Sequence, residues 1–266
     1  MTLCLPPRFS GGVLTPVSGG LTNQSYRLDL QGETFFLRQG TPMAARLGIR
    51  RQREQTLHHI AAQHGMAPQL HYAAPERGLL ITDWVAPCQP LRDWSDDAAL
   101  IQLGTRIAGL HGIPVTVPSL QLDLKAHIHF YLARICLRER ALMQLVERGL
   151  DCLTGLPVFT PVFCHNDIHA DNVLGDAMLL VDWEYASVGD GAFDLAVVCR
   201  MFELDAGRQQ RLLQAYWDAG GRISAERVTA MLLVADVMAM LWARVFWEAT
   251  AEARFDSLYQ RLLARW

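Results

Sequence analysis

The spacing of apolar and polar positions changes character near residue 95. Before it, short runs with period-two alternation predict strands at 13–17, 24–30 and 34–38, the last two joined across Gln31-Gly32-Glu33 as a hairpin. Helical spacing then covers 44–64, opening with Arg46, Arg50, Arg51 and Arg53 and stopping at Gly65. Two more apolar stretches, 69–72 and 79–85, flank the turn Pro75-Glu76-Arg77-Gly78 and read as a second hairpin. Pro87 and Pro90 break the pattern. Beyond them helical spacing fills 95–112, 123–148, 205–219 and 224–265, interrupted only by a strand-like island between Pro161 and Asp182. The expected architecture is α+β: a small antiparallel sheet lobe with one long helix at 1–85, a hinge at 86–94, and a larger, mostly helical lobe at 95–266.

Composition narrows the class. A chain of 266 residues suits two lobes at roughly 100–150 residues each. With 51% hydrophobic and 19% charged residues it has the apolar surface to fold. Lys+Arg 24 against Asp+Glu 27 leaves a formal charge of −3, so no positive excess is available to displace counterions from a nucleic acid. Cys4, Cys88, Cys136, Cys152, Cys164 and Cys199 are scattered without a C-x-x-C pair and read as reduced thiols. The first residues lack the basic and apolar runs of a secretory leader, and the most apolar stretch, 228–247, contains Asp236 and Arg244 and reads as a core helix. The expectation is a cytoplasmic protein with neither membrane nor nucleic acid as a partner. His58, His59 and His64 share one helix without a completing acidic or thiol ligand and read as solvated surface histidines.

Two segments carry candidate chemistry. Ser18-Gly19-Gly20-Leu21-Thr22-Asn23 lies between the first two strands, where paired glycines can bend the backbone and aim N–H groups at a phosphate; an ordinary hairpin turn has the same composition. In 163–185, polar groups follow apolar runs twice: His165-Asn166-Asp167-Ile168-His169-Ala170-Asp171-Asn172, then Asp182-Trp183-Glu184-Tyr185. Asp167, Asp171, Asp176, Asp182 and Glu184 crowd together and imply a hard divalent cation among them. H-x-D with Asn five residues later, then Asp after an apolar strand, is the spacing of a protein-kinase catalytic loop and its second metal position. A rival reading makes His165-x-Asp167-x-His169 a hydrolase metal site.

Residues 165–174 and 181–196 resemble the choline/ethanolamine kinase and thiamine kinase group of the aminoglycoside phosphotransferase-like family, whose fold is bilobal and protein-kinase-like. Gly19-Gly20-Leu21-Thr22-Asn23 is similar to that family's phosphate loop, Phe36-Leu37-Arg38 to its third strand, Ile81-Thr82-Asp83-Trp84-Val85 to its hinge, and Leu110-His111-Gly112-Ile113-Pro114 is familial too. The resemblance implies ATP as phosphate donor with Mg2+ and a small alcohol as acceptor. It implies that Asp167 is the base, that Asn172 and Asp182 are magnesium ligands, and that Arg38 meets the phosphates while paired to Glu54. Gly19, Gly20, Asn23, Thr82, Asp83 and Val85 would complete the nucleotide site. Arginine at 38, in a chain whose only lysine is Lys125, matches the choline and thiamine kinase subgroup.

For the acceptor, Tyr185 matches a cation-site residue of choline kinases, while His169-Ala170 and Gly189-Asp190 look more like thiamine kinases; Asp171 departs from the glycine common there. Glu184, Trp242 and Trp247 join the acceptor candidates, and Trp217, Phe246, Asp236 and Glu248 lie in the same helices, where aromatic residues at helical spacing also build cores. The implied acceptor is a cationic metabolite, thiamine ahead of choline or ethanolamine, with aminoglycosides, sugars and a nucleotide-binding module without transfer as alternatives.

Overall fold

The computed structural model describes residues 5–17, 22–87, 92–115 and 117–266. The glycine pair Gly19-Gly20 falls outside them.

Strands β1 (Val13–Val17), β2 (Asn23–Leu30) and β3 (Glu33–Gly40) lead into helices α1 (Met43–Arg46) and α2 (Arg51–Gln63), then strands β4 (Leu70–Ala74) and β5 (Leu79–Asp83). They form one antiparallel sheet in the order β1-β2-β3-β5-β4. Alternation along β3 sends Phe35 and Leu37 into a small core with Phe9, Leu28, Leu79 and Ile81, and places Arg38 on the opposite face. The single helix expected at 44–64 is two helices. Gly48 adopts φ +72 between them, and a Cβ there would come within 2.9 Å of the Phe130 ring, so the break is set by packing against a distant helix.

The rest is mainly helical: α3 (Asp97–His111), α4 (Leu124–Leu132), α5 (Arg140–Gly155), α6 (Gly191–Met201), α7 (Ala206–Asp218), α8 (Ala225–Thr250) and α9 (Ala253–Leu263). Between α5 and α6 run four short strands, β6 (Val162–Cys164), β7 (Val173–Leu174), β8 (Leu179–Leu180) and β9 (Ser187–Gly189), paired β6 with β9 and β7 with β8. The expected helix over 123–148 is interrupted at 133–139, and that over 224–265 at Ala251, which adopts φ 55. Helix α6 falls where no helix is expected, directly after the strand-like island; Asp190 caps it by accepting from Ala192 N at 3.1 Å.

One core joins Leu57 and Ala61 of α2 to Leu103 and Ile107 of α3, Leu180, Trp183, Leu195 of α6 and Leu212 of α7. Helix α2 therefore packs on the segment that carries the candidate chemistry. A second core unites α4, α5, α8 and α9 through Tyr131, Leu142, Val146, Met240, Phe246, Phe255 and Tyr259. Helix α8 is long and apolar enough to cross a membrane by length and composition, and in this structure it packs against α4, α5, α6 and α9. Its buried charges are paired: Asp236 with Arg200 (2.8 Å) and Arg265 (3.0 Å), Arg244 with Glu139 and Asp256.

His59 and His64 are exposed as expected, but His58 is buried on the inner face of α2, where its Nε2 donates to Pro68 O at 2.9 Å. Burial pushes its pKa down to about 4. Unfolding restores the ordinary value near 6.5, so the unfolded chain takes up a proton that the folded chain refuses between these values. The resulting stability is complete above pH 6.5 and is lost as pH falls toward 4. In urea titrations, the stability of the natural protein relative to His58→Gln should fall between pH 6 and pH 4.5 by up to about 1.4 kcal/mol per unit; a pH-independent difference would refute it.

Candidate active site

Backbone hydrogen bonds bring the two acidic segments together. Leaving β6, the chain offers His165 N and Asn166 N to the Asp194 carboxylate, at 2.8 and 2.6 Å. Asn166 adopts φ 66 and its Nδ2 donates to Tyr185 O (2.9 Å) and Ser187 Oγ (2.8 Å) in the second segment. His165 Nε2 donates to Val181 O at 2.9 Å, and Val181 N to Asn172 O at 3.0 Å. Asp194 itself is fully buried and meets His111 Nε2 at 3.3 Å, while Tyr216 OH donates to His111 Nδ1 at 2.9 Å.

The left-handed turn at Asn166 destroys the alternation on which the hydrolase reading depends. His165 is wholly buried against Trp183, whereas His169 lies 3.9 Å from Asp167 Oδ2. They do not converge on one ion. The five-acid cluster also shrinks: Asp171 and Asp176 are exposed, and the inward group is Asp167, Asp182 and Glu184.

Asn172 Nδ2 donates to Asp167 O (2.9 Å) and Asp167 Oδ2 (3.3 Å), fixing the loop and leaving the amide oxygen to serve a ligand. The Asp167 pKa is pushed well above the ordinary value, first by burial and then by Asp182 and Glu184. Burial and Glu184 likewise push Asp182 up to about 8, against the pull of Arg38. Both carboxylates keep an open side, 30% and 38% exposed. Asp182 sits in a left-handed conformation (φ 61, ψ 65), and its Oδ1 has no hydrogen-bond partner, with Arg38 NH1 at 3.7 Å. Oxygen donors, an orphaned carboxylate oxygen and crowded negative charge fit a hard divalent cation such as magnesium.

On the sheet side, Arg38 grips Glu54 with both terminal nitrogens, NH2 to Oε2 at 2.9 Å. Burial opposes the guanidinium charge, but Glu54, Asp182 and Glu184 outweigh it and its pKa is raised. Burial also opposes the Glu54 charge, yet Arg38 and Arg51 hold its pKa below the usual value. Arg38 Nε remains unpartnered. Gly19 and Gly20 lie outside the described residues; Asn23 and Thr22 follow them and are buried. Thr82 donates from Oγ1 to Asp83 O, and the Asp83 carboxylate is engaged by His71 Nε2 (2.5 Å) and Gln69 N (3.2 Å), so β4 holds it. Val85 lies against the β7–β8 turn: a Cβ on Gly175 would be 3.3 Å from Val85 Cγ1.

The acceptor candidates separate. Trp242 Nε1 donates to Tyr185 OH at 2.9 Å, joining α8 to the second acidic segment. Burial, then Tyr131 and Glu184, push the Tyr185 hydroxyl well above its ordinary pKa. Tyr131 of α4 belongs to the same group and was not among the expected residues. Trp247, five positions from Trp242, turns about 140° away around the helix and packs beside Arg244. Trp217 donates to Ile223 O, Asp236 is paired as above, and Glu248 accepts from Cys136 N and Leu137 N, so none of the three joins Tyr185. Glu184 is buried with both oxygens occupied, by Thr22 Oγ1 (2.7 Å), Asn23 Nδ2 (2.9 Å) and Arg51 NH1 (3.0 Å), and thereby bridges the sheet lobe to the acidic segment.

Residues 13–233 match the phosphotransferase enzyme family APH. The chain belongs to this family. A choline/ethanolamine kinase of Mus musculus is 30% identical over 209 residues, covering 68% of this chain and 52% of the mouse protein, so the chain spans about half that relative's length. A thiamine kinase of Salmonella heidelberg is 31% identical over 100 residues, 35% of each chain. The solved structure of LicA in complex with AMP superposes with a TM-score of 0.80 at 19% identity, covering 96% of this chain and 93% of LicA, which establishes the shared fold. The expected protein-kinase-like α+β architecture is thus present in this member of the phosphotransferase family.

Sequence reasoning passed over Asp194, Tyr131 and the bridging part played by Arg51. For Asp194 a signal existed: one carboxylate inside the apolar run Ala192–Val198 demands polar partners. For the other two none existed, since their neighbours are distant in sequence.

In this family member, Arg38→Met should cost about 2–3 kcal/mol of stability by leaving the buried Glu54 to Arg51 alone, and Arg38→Met/Glu54→Leu should recover part of it. Equal melting temperatures of the single and double variants would contradict the pairing.

Proposed function

We propose that this protein transfers the γ-phosphoryl group of ATP, as its magnesium complex, to the hydroxyl of a small cationic alcohol, with thiamine the first acceptor and choline or ethanolamine the second. The observation that carries this reading is the placement of Asp167. Asn172 holds one of its oxygens, Asp182 and Arg38 lie to the donor side, and Tyr185 belongs to the same charge-coupled group.

Asn172 and Asp182 would hold magnesium, which neutralises charge on the donor phosphates. Arg38, clamped by Glu54, presents a fixed positive charge with Nε as its unused donor. The acceptor hydroxyl hydrogen-bonds to the Asp167 oxygen not taken by Asn172, which aligns it and receives its proton as the new O–P bond forms. The carboxylates of Asp167 and Asp182, ionised once a metal cation is bound beside them, together with the half-buried rings of Tyr185 and Trp242, suit a cation-bearing alcohol. The pair His169-Ala170, similar to thiamine kinases, supports thiamine, and the mouse relative is a choline/ethanolamine kinase and the Salmonella relative a thiamine kinase.

An ADP-release assay with magnesium, offering thiamine, choline, ethanolamine, homoserine, simple sugars and aminoglycosides, tests the acceptor. Thiamine should give the highest kcat/KM; preference for a sugar or an aminoglycoside, or turnover of none, would sink the reading. Asp167→Asn should lower kcat by about 10³-fold while ATP affinity changes less than about twofold. Retention of most activity would remove Asp167 as the base.

A further inference from the structure

Glu54 stands on the donor side, Glu184 on the second acidic segment, and Asn23 at the start of β2. A single guanidinium touches all three. Arg51 NH1 donates to Glu54 Oε2 at 2.8 Å and to Glu184 Oε2 at 3.0 Å, while NH2 donates to Asn23 Oδ1 at 2.6 Å. The Arg51 side chain is 10% exposed and its carboxylate partners 2% and 3%. None of the catalytic steps above uses it.

The surroundings are shaped for this side chain. Gly40 pairs with Asn23 in the β2–β3 ladder, and a Cβ on Gly40 would lie 3.1 Å from Arg51 NH2 and 3.3 Å from Nε. Gly40 is not among the glycines with positive φ, so its backbone imposes no need for glycine; the space occupied by the guanidinium does. Arg38 and Arg51 together balance Glu54 and Glu184. Without Arg51 the buried set carries a net negative charge beside Asp182, which drives the lobes apart.

We propose that Arg51 is a positioning residue for phosphoryl transfer, its guanidinium holding the start of β2, the partner of Arg38 and the second acidic segment in one register. The planar fork reaches three acceptors in fixed directions, which an ammonium does not do. In this arrangement the lobes are clasped through Glu184, and donor phosphates and acceptor hydroxyl are aligned only in the clasped state. The proposal rests on the phosphotransferase reading for its kinetic consequence and on the geometry alone for its structural one.

The test compares Arg51→Met, Arg51→Lys and Gly40→Ala with the natural chain by steady-state kinetics and by hydrogen exchange. Arg51→Met should lower kcat about 100-fold, the scale of a small misalignment, with KM for ATP within about threefold. Exchange should quicken in 22–30 and 183–189 and stay unchanged in 225–250. Arg51→Lys should regain less than a tenth of the lost kcat, and Gly40→Ala should shift kcat and exchange in the same direction by less. A kcat for Arg51→Met within about threefold of the natural protein, unchanged exchange in the two segments, or protection lost equally along the whole chain would overturn the proposal. If the natural protein phosphorylates no acceptor, the functional reading fails, while the exchange measurement still decides whether Arg51 holds the clasp.

Discussion

Three carboxylates, Asp167, Asp182 and Glu184, stand close enough at the lobe junction for the charges of the other two to raise the pKa of Asp167 and for Glu184 to raise that of Asp182, and mutual attraction cannot have gathered them. Hydrogen bonds between side chains and backbone do the gathering. Asp194 takes two amide protons of the loop that follows β6, His165 and Asn166 reach across to Val181, Tyr185 and Ser187, and β6 pairs with β9. The repulsion is thereby confined to side chains; Arg51 offsets the buried Glu184, while Asp167 and Asp182 keep an open side at which a cation would relieve it. The apolar core beneath holds this frame in place: Trp183 is fully buried against His165 and Phe163 and donates to Leu180 O.

The two lobes meet by two means of different character. Helix α2 buries Leu57 and Ala61 in the core of the helical lobe, a nondirectional contact that tolerates small displacements. The polar junction of Thr22, Asn23, Arg51 and Glu184 is directional. Apolar packing brings the lobes together, and hydrogen bonds select one orientation among those that packing allows.

Much of this was legible in the chain. Alternation in 34–38 placed Arg38 on the face away from Leu37, and the spacing of Asp167, Asn172 and Asp182 marked residues that the fold brings close together, because strand period and loop length are local properties. The helix breaks at Gly48 and Ala251 were not legible, since the first depends on Phe130 far along the chain and the second on a left-handed alanine that no propensity favours. Helix α6 was overlooked although Asp190 caps it, because its residues Ala192–Val198 are apolar on all faces but for Asp194 and so show no helical alternation. Glu184 looked like a ligand for the acceptor because sequence shows its charge and not its partners; those partners lie more than a hundred residues away, in β2 and α2.

Asp182 occupies a backbone region that disfavours most side chains. Torsion alone would welcome glycine or asparagine at that corner, and neither carries a negative charge. Chemistry and geometry therefore pull on this position in different directions, and aspartate satisfies both only at some conformational expense. A descendant chain relieved of its chemical duty would drift first at this corner, toward the two residues the turn prefers, while its architecture stayed intact.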